Sequence, residues 1–208
     1  MNAGRHREAR GCVRIIGGRW RGTRLQVPQA PGLRPTSDRV RETLFNWLQP
    51  VLPGARVLDL FAGSGALGLE SVSRGASHAQ LVEADPRLAR ALQEAVQRLS
   101  AAGEVKVDHA DALVWLQQPQ AHPFDIAFVD PPFQAGLWRA VLEVLPARLT
   151  GDAWLYLESP TGHAPELSGE WALHRESATR ETRYALYRRV TPRVTLGPVH
   201  TSGTLATT

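Results

Sequence analysis

The chain has 208 residues, 43% of them hydrophobic and 21% charged, values that suit one α/β domain with a small addition and a real buried core. No apolar run approaches the ~18 residues of a membrane helix, and the arginine-rich N-terminus has no apolar segment behind it, which argues against a secretory signal. A single cysteine, Cys12, excludes an internal disulfide and a cysteine-based zinc site and fits a reducing, cytoplasmic setting; no metal is expected.

The net charge of +4 is unevenly spread. Residues 1–47 hold ten arginines against Glu8, Asp38 and Glu42, a local +7, whereas residues 48–208 hold fourteen basic and seventeen acidic groups, a local −3. A confined positive module suits contact with a polyanion. Only Lys106 among the 24 basic residues is a lysine, so arginine use is partly compositional.

In chain order, residues 1–12 are expected to be a basic, mobile N-terminus. Residues 13–53 form a hairpin and a helix. Val13 to Leu25 reads as a hairpin turning on Gly17 and Gly18, and Pro28 to Pro35 as a loop. Thr36 or Ser37 then caps a helix to about Leu48, with Val40, Leu44, Trp47 and Leu48 on its apolar side. Residues 34–42 allow two readings, a capped helix with a solvated arginine face or a segment that closes over a ligand cleft. Residues 54–190 alternate strand and helix. Strands are expected at 57–60, 78–83, 105–107, 124–129 and 154–158. The intervening helices end near Gly75, span 86–101, start at Asp111 and span 137–149. That rhythm predicts a doubly wound, Rossmann-like parallel sheet of the α/β class. The segments 171–179 and 183–190 are strand-like with no room for a crossover helix, so they are expected to pair antiparallel. Residues 191–208 are expected to be a disordered tail.

Two motifs carry chemistry. Gly63-Ser-Gly65-Ala-Leu-Gly68 follows the first strand, and Glu83 stands twenty residues beyond Gly63 at the end of the next. Glycines let a ligand approach the backbone, and a strand-end carboxylate can hold two ribose hydroxyls. The pattern fits a dinucleotide or S-adenosylmethionine. Three features favour the latter. Asp59 ends an apolar strand, where a carboxylate must fix the loop or meet a cation such as the ligand's ammonium. The antiparallel C-terminal pair is unusual for a dinucleotide domain. Asp111 opens a helix where it can accept from an adenine amine, or simply cap the helix.

The second motif, Asp130-Pro131-Pro132-Phe133, ends the strand 124–129. A carboxylate and a proline carbonyl can accept from a nucleobase amine while the ring of Phe133 stacks on the base. By itself this clamp does not distinguish adenine from guanine, nor DNA from RNA.

Taken with Arg14–Leu25 and Gly32–Leu48, these motifs resemble the bacterial small-subunit (16S) ribosomal RNA guanine-N2 methyltransferases, from about residue 13 to 190. The resemblance implies a monomeric S-adenosylmethionine-dependent methyltransferase acting on 16S rRNA within the 30S subunit or a late assembly intermediate. It implies cofactor contacts at Asp59, Phe61, Ala62, Gly63, Ser64, Gly65, Glu83 and Ala84, with Asp111 and Ala112 at the adenine. Asp130, Pro131, Pro132 and Phe133 hold the guanine. The rRNA contacts fall on Arg14, Arg19, Trp20, Arg21, Arg24, Arg34 and Arg39. His109, His122 and Cys12 are not expected to be catalytic. Rival readings are an amino-methyltransferase acting on adenine N6 of DNA or on another RNA, a nicotinamide-dependent oxidoreductase, and an RNA-binding protein with a degenerate cofactor site.

Overall fold

The computed structural model describes residues 10–28 and 36–190. The expectations for residues 1–9, 29–35 and 191–208, Arg34 among them, lie outside the described residues. Strands β1 (Arg10–Arg14) and β2 (Arg24–Pro28) pair antiparallel, with Arg14 opposite Arg24. Helix α1 (Asp38–Leu48) follows, its first turn capped by Ser37, whose hydroxyl accepts from the Val40 amide at 3.4 Å. The remaining chain alternates as β3 (Arg56–Asp59), α2 (Ala66–Ser73), β4 (His78–Glu83), α3 (Pro86–Arg98), β5 (Val105–His109), α4 (Ala112–Gln117), β6 (Phe124–Val129), α5 (Trp138–Val144) and β7 (Leu149–Pro160). It closes with β8 (Trp171–Ala178) and β9 (Thr182–Arg189).

One seven-stranded sheet runs in the order β5-β4-β3-β6-β7-β9-β8. The first five strands in that order are parallel, and β9 lies antiparallel between β7 and β8. Apolar side chains line both faces, as a parallel sheet covered on each side requires. Val57, Leu81, Ile126 and Phe128 face the side covered by α1, α2 and α3. Leu58, Val82, Ala127 and Val129 face the side covered by α4 and α5. The fold class read from the sequence is the one observed, including the antiparallel C-terminal pair.

Arg10, Gly11 and Cys12, expected to belong to a mobile N-terminus, are part of β1 and pair with β2. Two further local expectations need correction. Gly17 and Gly18 do not form a tight hairpin turn; residues 15–23 make a longer connection that lies against the end of α2. Ser73 donates its hydroxyl to the Gly17 carbonyl at 2.7 Å, and accepts from the Arg19 amide at its carbonyl (2.8 Å) and from the Trp20 amide at Oγ (2.9 Å). Gly18 has φ +75°, and a Cβ there would stand 1.8 Å from the Ser73 carbonyl oxygen. Close approach and backbone conformation both demand glycine at this point.

The second concerns α1, whose arginine face is not fully solvated. Arg41 is completely buried. Its guanidinium donates to Glu70 of α2 at 2.9 Å, to Asp38 at 2.6 Å and to the Arg14 carbonyl at 2.7 Å. Glu70, also buried, accepts in addition from Arg74 at 2.8 Å. The network ties hairpin, α1 and α2 together. Around it, Ile15, Leu25, Leu44 and Phe45 share one core with the sheet residues Val57 and Phe128. Phe45 also contacts Phe128 edge-on, ring centroids 6.4 Å apart, and Trp47, on the apolar side as expected, packs against the same core. Trp47 is half-buried and stacks on Tyr184.

Candidate active site

The strand order reverses on either side of β3, and the crevice beyond the carboxyl ends of β3, β4 and β6 is where such sheets bind ligands. Five carboxylates converge on this edge: Asp59 ends β3, Glu83 ends β4, Asp111 follows β5, Asp130 follows β6, and Glu158 lies near the end of β7.

The glycine loop is held by its own backbone and by two of these acids. The Gly63 amide donates to Glu83 Oε2 at 2.7 Å, the Ala62 amide to the Val82 carbonyl at 2.9 Å, and the Gly65 amide to the Ala62 carbonyl at 2.6 Å. Gly63 and Gly65 both have positive φ, 50° and 74°. Ser64 Oγ accepts from the Ala66 amide at 3.3 Å, closing the first turn of α2. Phe61 is half-buried against the apolar layer under α4 and α5.

Asp59 is 3% exposed, and its Oδ2 accepts from the Gly68 amide at 3.0 Å. Burial, with the nearby charge of Glu83, pushes its carboxyl up to about 7, although the Gly68 bond works in the other direction. Asp59 thereby ties the end of β3 to the first turn of α2. Glu83 is half-buried, and its second oxygen accepts from the Asp85 amide at 2.8 Å. It thus braces the loop and the start of α3. Ala84 is exposed beside it. Asp111 is exposed and caps α4, Oδ1 accepting from Leu113 at 2.9 Å and Val114 at 3.1 Å. Oδ2 has no hydrogen bond to protein among the described residues. Ala112 is buried.

In the segment after β6, Asp130 is half-buried, Pro131 buried, Pro132 exposed and Phe133 half-buried. Its apolar surroundings, then the charges of Glu158 and Asp59, hold the Asp130 carboxyl well above the ordinary carboxylate range. Phe133 opens a 3₁₀ turn, and its ring lies 5.7 Å from that of Trp138, tilted by 41°. The Trp138 indole donates to the Glu158 carbonyl at 3.0 Å. Glu158 Oε1 accepts from the hydroxyls of Tyr156 at 2.8 Å and Thr36 at 2.9 Å. Thr36 stands just ahead of α1, and its hydroxyl ties this point of the chain to the end of β7 at the crevice. Glu158, Tyr156 and Trp138 were not singled out from the sequence, and Thr36 was named only as an alternative cap of α1, a role that Ser37 fills. The signal for Glu158 was an acid at the end of the apolar run Trp154-Leu-Tyr-Leu-Glu158, the pattern that drew attention to Asp59.

The basic residues divide into two groups. Arg19 pairs with Glu104, and its guanidinium lies 4.2 Å over the ring of Trp20, which packs on the core. Arg14 stands 3.6 Å from Asp38. By contrast Arg21, Arg24 and Arg39 are exposed and have no ion pair among the described residues.

The family model described as "Conserved hypothetical protein 95" matches residues 13–188. The protein named "Ribosomal RNA small subunit methyltransferase D" of Escherichia coli strain K12 is 47% identical over 182 residues, covering 86% of this chain and 91% of that one. Its Haemophilus influenzae namesake is 41% identical over 184 residues, covering 86% and 95%. A solved "Putative methyltransferase" from Escherichia coli superposes with a TM-score of 0.77 at 46% identity, covering 86% of this chain and 99% of that one. The chain belongs to the Conserved hypothetical protein 95 family, and its fold is that of a methyltransferase.

Proposed function

We propose that this chain transfers the methyl group of S-adenosylmethionine to the exocyclic N2 amine of a guanine in 16S rRNA, presented by the 30S subunit or a late assembly intermediate, and acts as a monomer. The observation that carries the reading is the Asp130-Pro131-Pro132-Phe133 clamp, one strand away from a braced glycine loop. The names of the relatives supply the ribosomal substrate, and the +7 N-terminal module fits it.

The donor set fits the cofactor. A crevice edged by Asp59, Glu83 and Asp111 favours a ligand with a sulfonium and an ammonium, and would repel a pyrophosphate. In this reading Glu83 would hold the ribose hydroxyls, Asp111 Oδ2 and Ala112 the adenine, and the loop 61–65 with Ala84 the rest of the nucleoside. Bound there, S-adenosylmethionine supplies an electrophilic methyl group.

The chain's own residues do the remaining work. Asp130 and the Pro131 carbonyl accept the two N2 hydrogens and turn the nitrogen toward the methyl group. With the cofactor bound, the N2 lone pair so turned would take its methyl group, the electron pair of the broken S–C bond staying on sulfur. Asp130, already biased toward protonation, takes the proton that the amine releases. Phe133, braced by Trp138, stacks on the base. Arg21, Arg24 and Arg39 meet phosphates, with Arg14, Arg19 and Trp20 at the margin of that surface. Arg34 is assigned to it from the sequence.

The test is methyl transfer from labelled cofactor into 30S particles, naked 16S rRNA and duplex DNA, followed by mapping of the modified base. One N2-methylguanine in the small-subunit RNA is expected. Label confined to DNA, or found on adenine N6, overturns the reading.

A further inference from the structure

We infer that Glu158 is a specificity-determining residue, the acceptor that reads the N1–H of the target guanine while Asp130 and Pro131 hold its N2 amine. This rests on the guanine-N2 reading above and deepens it. The clamp alone accepts any exocyclic amine. A guanine's Watson–Crick edge presents two adjacent donors, N1–H and N2–H, where adenine presents an acceptor at N1 beside its amine. A site that prefers guanine needs a second acceptor next to the first.

The register of the sheet puts one there. Val129, the last residue of β6, pairs with Leu157 of β7, so Glu158 and Asp130 each stand one residue past that pair, Glu158 still within β7 and Asp130 just beyond the end of β6. Neighbouring strands lie about 4.8 Å apart, and residues in register extend to the same face. That spacing suits two acceptors meeting two neighbouring N–H groups of one base edge. The two carboxylates are close enough for the charge of Glu158 to raise Asp130, which agrees with this placement.

The Glu158 side chain is buried and held by neighbouring hydroxyls. The Tyr156 and Thr36 hydroxyls both donate to Oε1, which fixes the plane of the carboxylate. Its carbonyl accepts from Trp138, the residue that braces Phe133. Tyr156 in turn meets Phe128 edge-on, ring centroids 6.0 Å apart, two residues before Asp130 on the same strand. One residue thus sets the distance between the stacking ring, the amine acceptor and the segment ahead of α1. A carboxylate so placed attracts guanine N1–H and repels the N1 lone pair of adenine or 2-aminopurine.

The experiment compares the full chain with its Glu158→Gln variant in single-turnover methyl transfer. The substrates are reconstituted 30S particles carrying guanine, or 2-aminopurine, at the mapped target position. 2-Aminopurine keeps the N2 amine but has a bare N1. The parent is expected to prefer guanine by on the order of 10- to 100-fold. Glu158→Gln is expected to lose most of that preference, falling on guanine and holding or rising on 2-aminopurine, where the amide can donate to N1. Gln keeps the oxygen that accepts from Tyr156 and Thr36, and a thermal melt within a few degrees of the parent confirms folding. An equal fall on both bases means Glu158 is structural and overturns the inference, as does an unchanged preference. A variant that fails to fold is replaced by the parent's own preference, whose absence is equally fatal. A parent that methylates neither base at N2 overturns the underlying guanine-N2 reading instead.

Discussion

The Gly63 amide donates to Glu83 Oε2 at 2.7 Å, fastening the loop after β3 to the end of β4. One carboxylate therefore shapes the cofactor loop and, on the proposed function, also holds the ribose. Glu83→Ala should weaken S-adenosylmethionine binding by about 10- to 100-fold through both losses, one charge-assisted bond being worth ~1.5–3 kcal/mol. Calorimetric titration measures it. An affinity within twofold of the parent removes Glu83 from the cofactor site.

Asp59 makes stability depend on pH. Its carboxyl ordinarily titrates at 3.8 and is pushed up to about 7 in the fold, so the folded chain holds the proton more tightly than the unfolded chain. The stabilising contribution of this proton is complete below pH 4 and is lost as the pH rises through about 7. Asp59→Asn keeps an oxygen for the Gly68 amide and should flatten this slope, making the variant the more stable form above pH 7. Urea melts at pH 5 and pH 8.5 decide it. A cationic ligand in contact with Asp59 works in the opposite sense, so parent affinity for the cofactor should climb across the same window and the Asn variant's should not.

Asp130→Ala should abolish methyl transfer while leaving cofactor affinity within a few fold, because on the proposed function Asp130 holds the base and not the cofactor. Equal loss of both functions would make it a structural residue. Single-turnover rates and calorimetry on the same preparation separate the two outcomes.

The exposed arginines should carry the salt dependence of RNA binding. Replacing Arg21 and Arg24 by Ala should lower the slope of log affinity against log salt by about 1 per residue. Arg19→Ala should cost less, because its guanidinium is already engaged by Glu104 and Trp20. An unchanged slope in the double variant excludes this face from the interface.

Arg41→Met should cost about 3 kcal/mol, since it strips Glu70 of a buried partner while Arg74 remains. Pairing it with Glu70→Leu should recover part of that loss. Equilibrium denaturation of both variants checks the order.

Much of the site was legible because each acid stands where apolar strand pattern breaks off: Asp59, Glu83 and Asp130 all end such runs. Glu158 follows the same rule, with Pro160 and Gly162 behind it, but its proposed role comes from standing one residue past the Val129–Leu157 pair, as Asp130 does. Pairing between strands that are distant in sequence is not written in either strand alone. The same reason hid Arg41. Its spacing with Val40, Leu44 and Leu48 puts it on the inner side of α1, but its partner Glu70 belongs to another helix, and a lone arginine among such residues is ordinarily solvated. Gly17-Gly18 reads locally as a turn, and only the end of α2 explains why these glycines are needed.

Helix α2 has eight residues, about 12 Å of length. One end receives the glycine loop and the other is gripped by the hairpin connection through Ser73, with Arg41 clamping its side at Glu70. It therefore works as a ruler. On the proposed function, the offset between the phosphates gripped by the hairpin and the base offered for methylation is set by this helix. A guanine at any other offset on the particle surface fails to reach the methyl group, however well its backbone is bound.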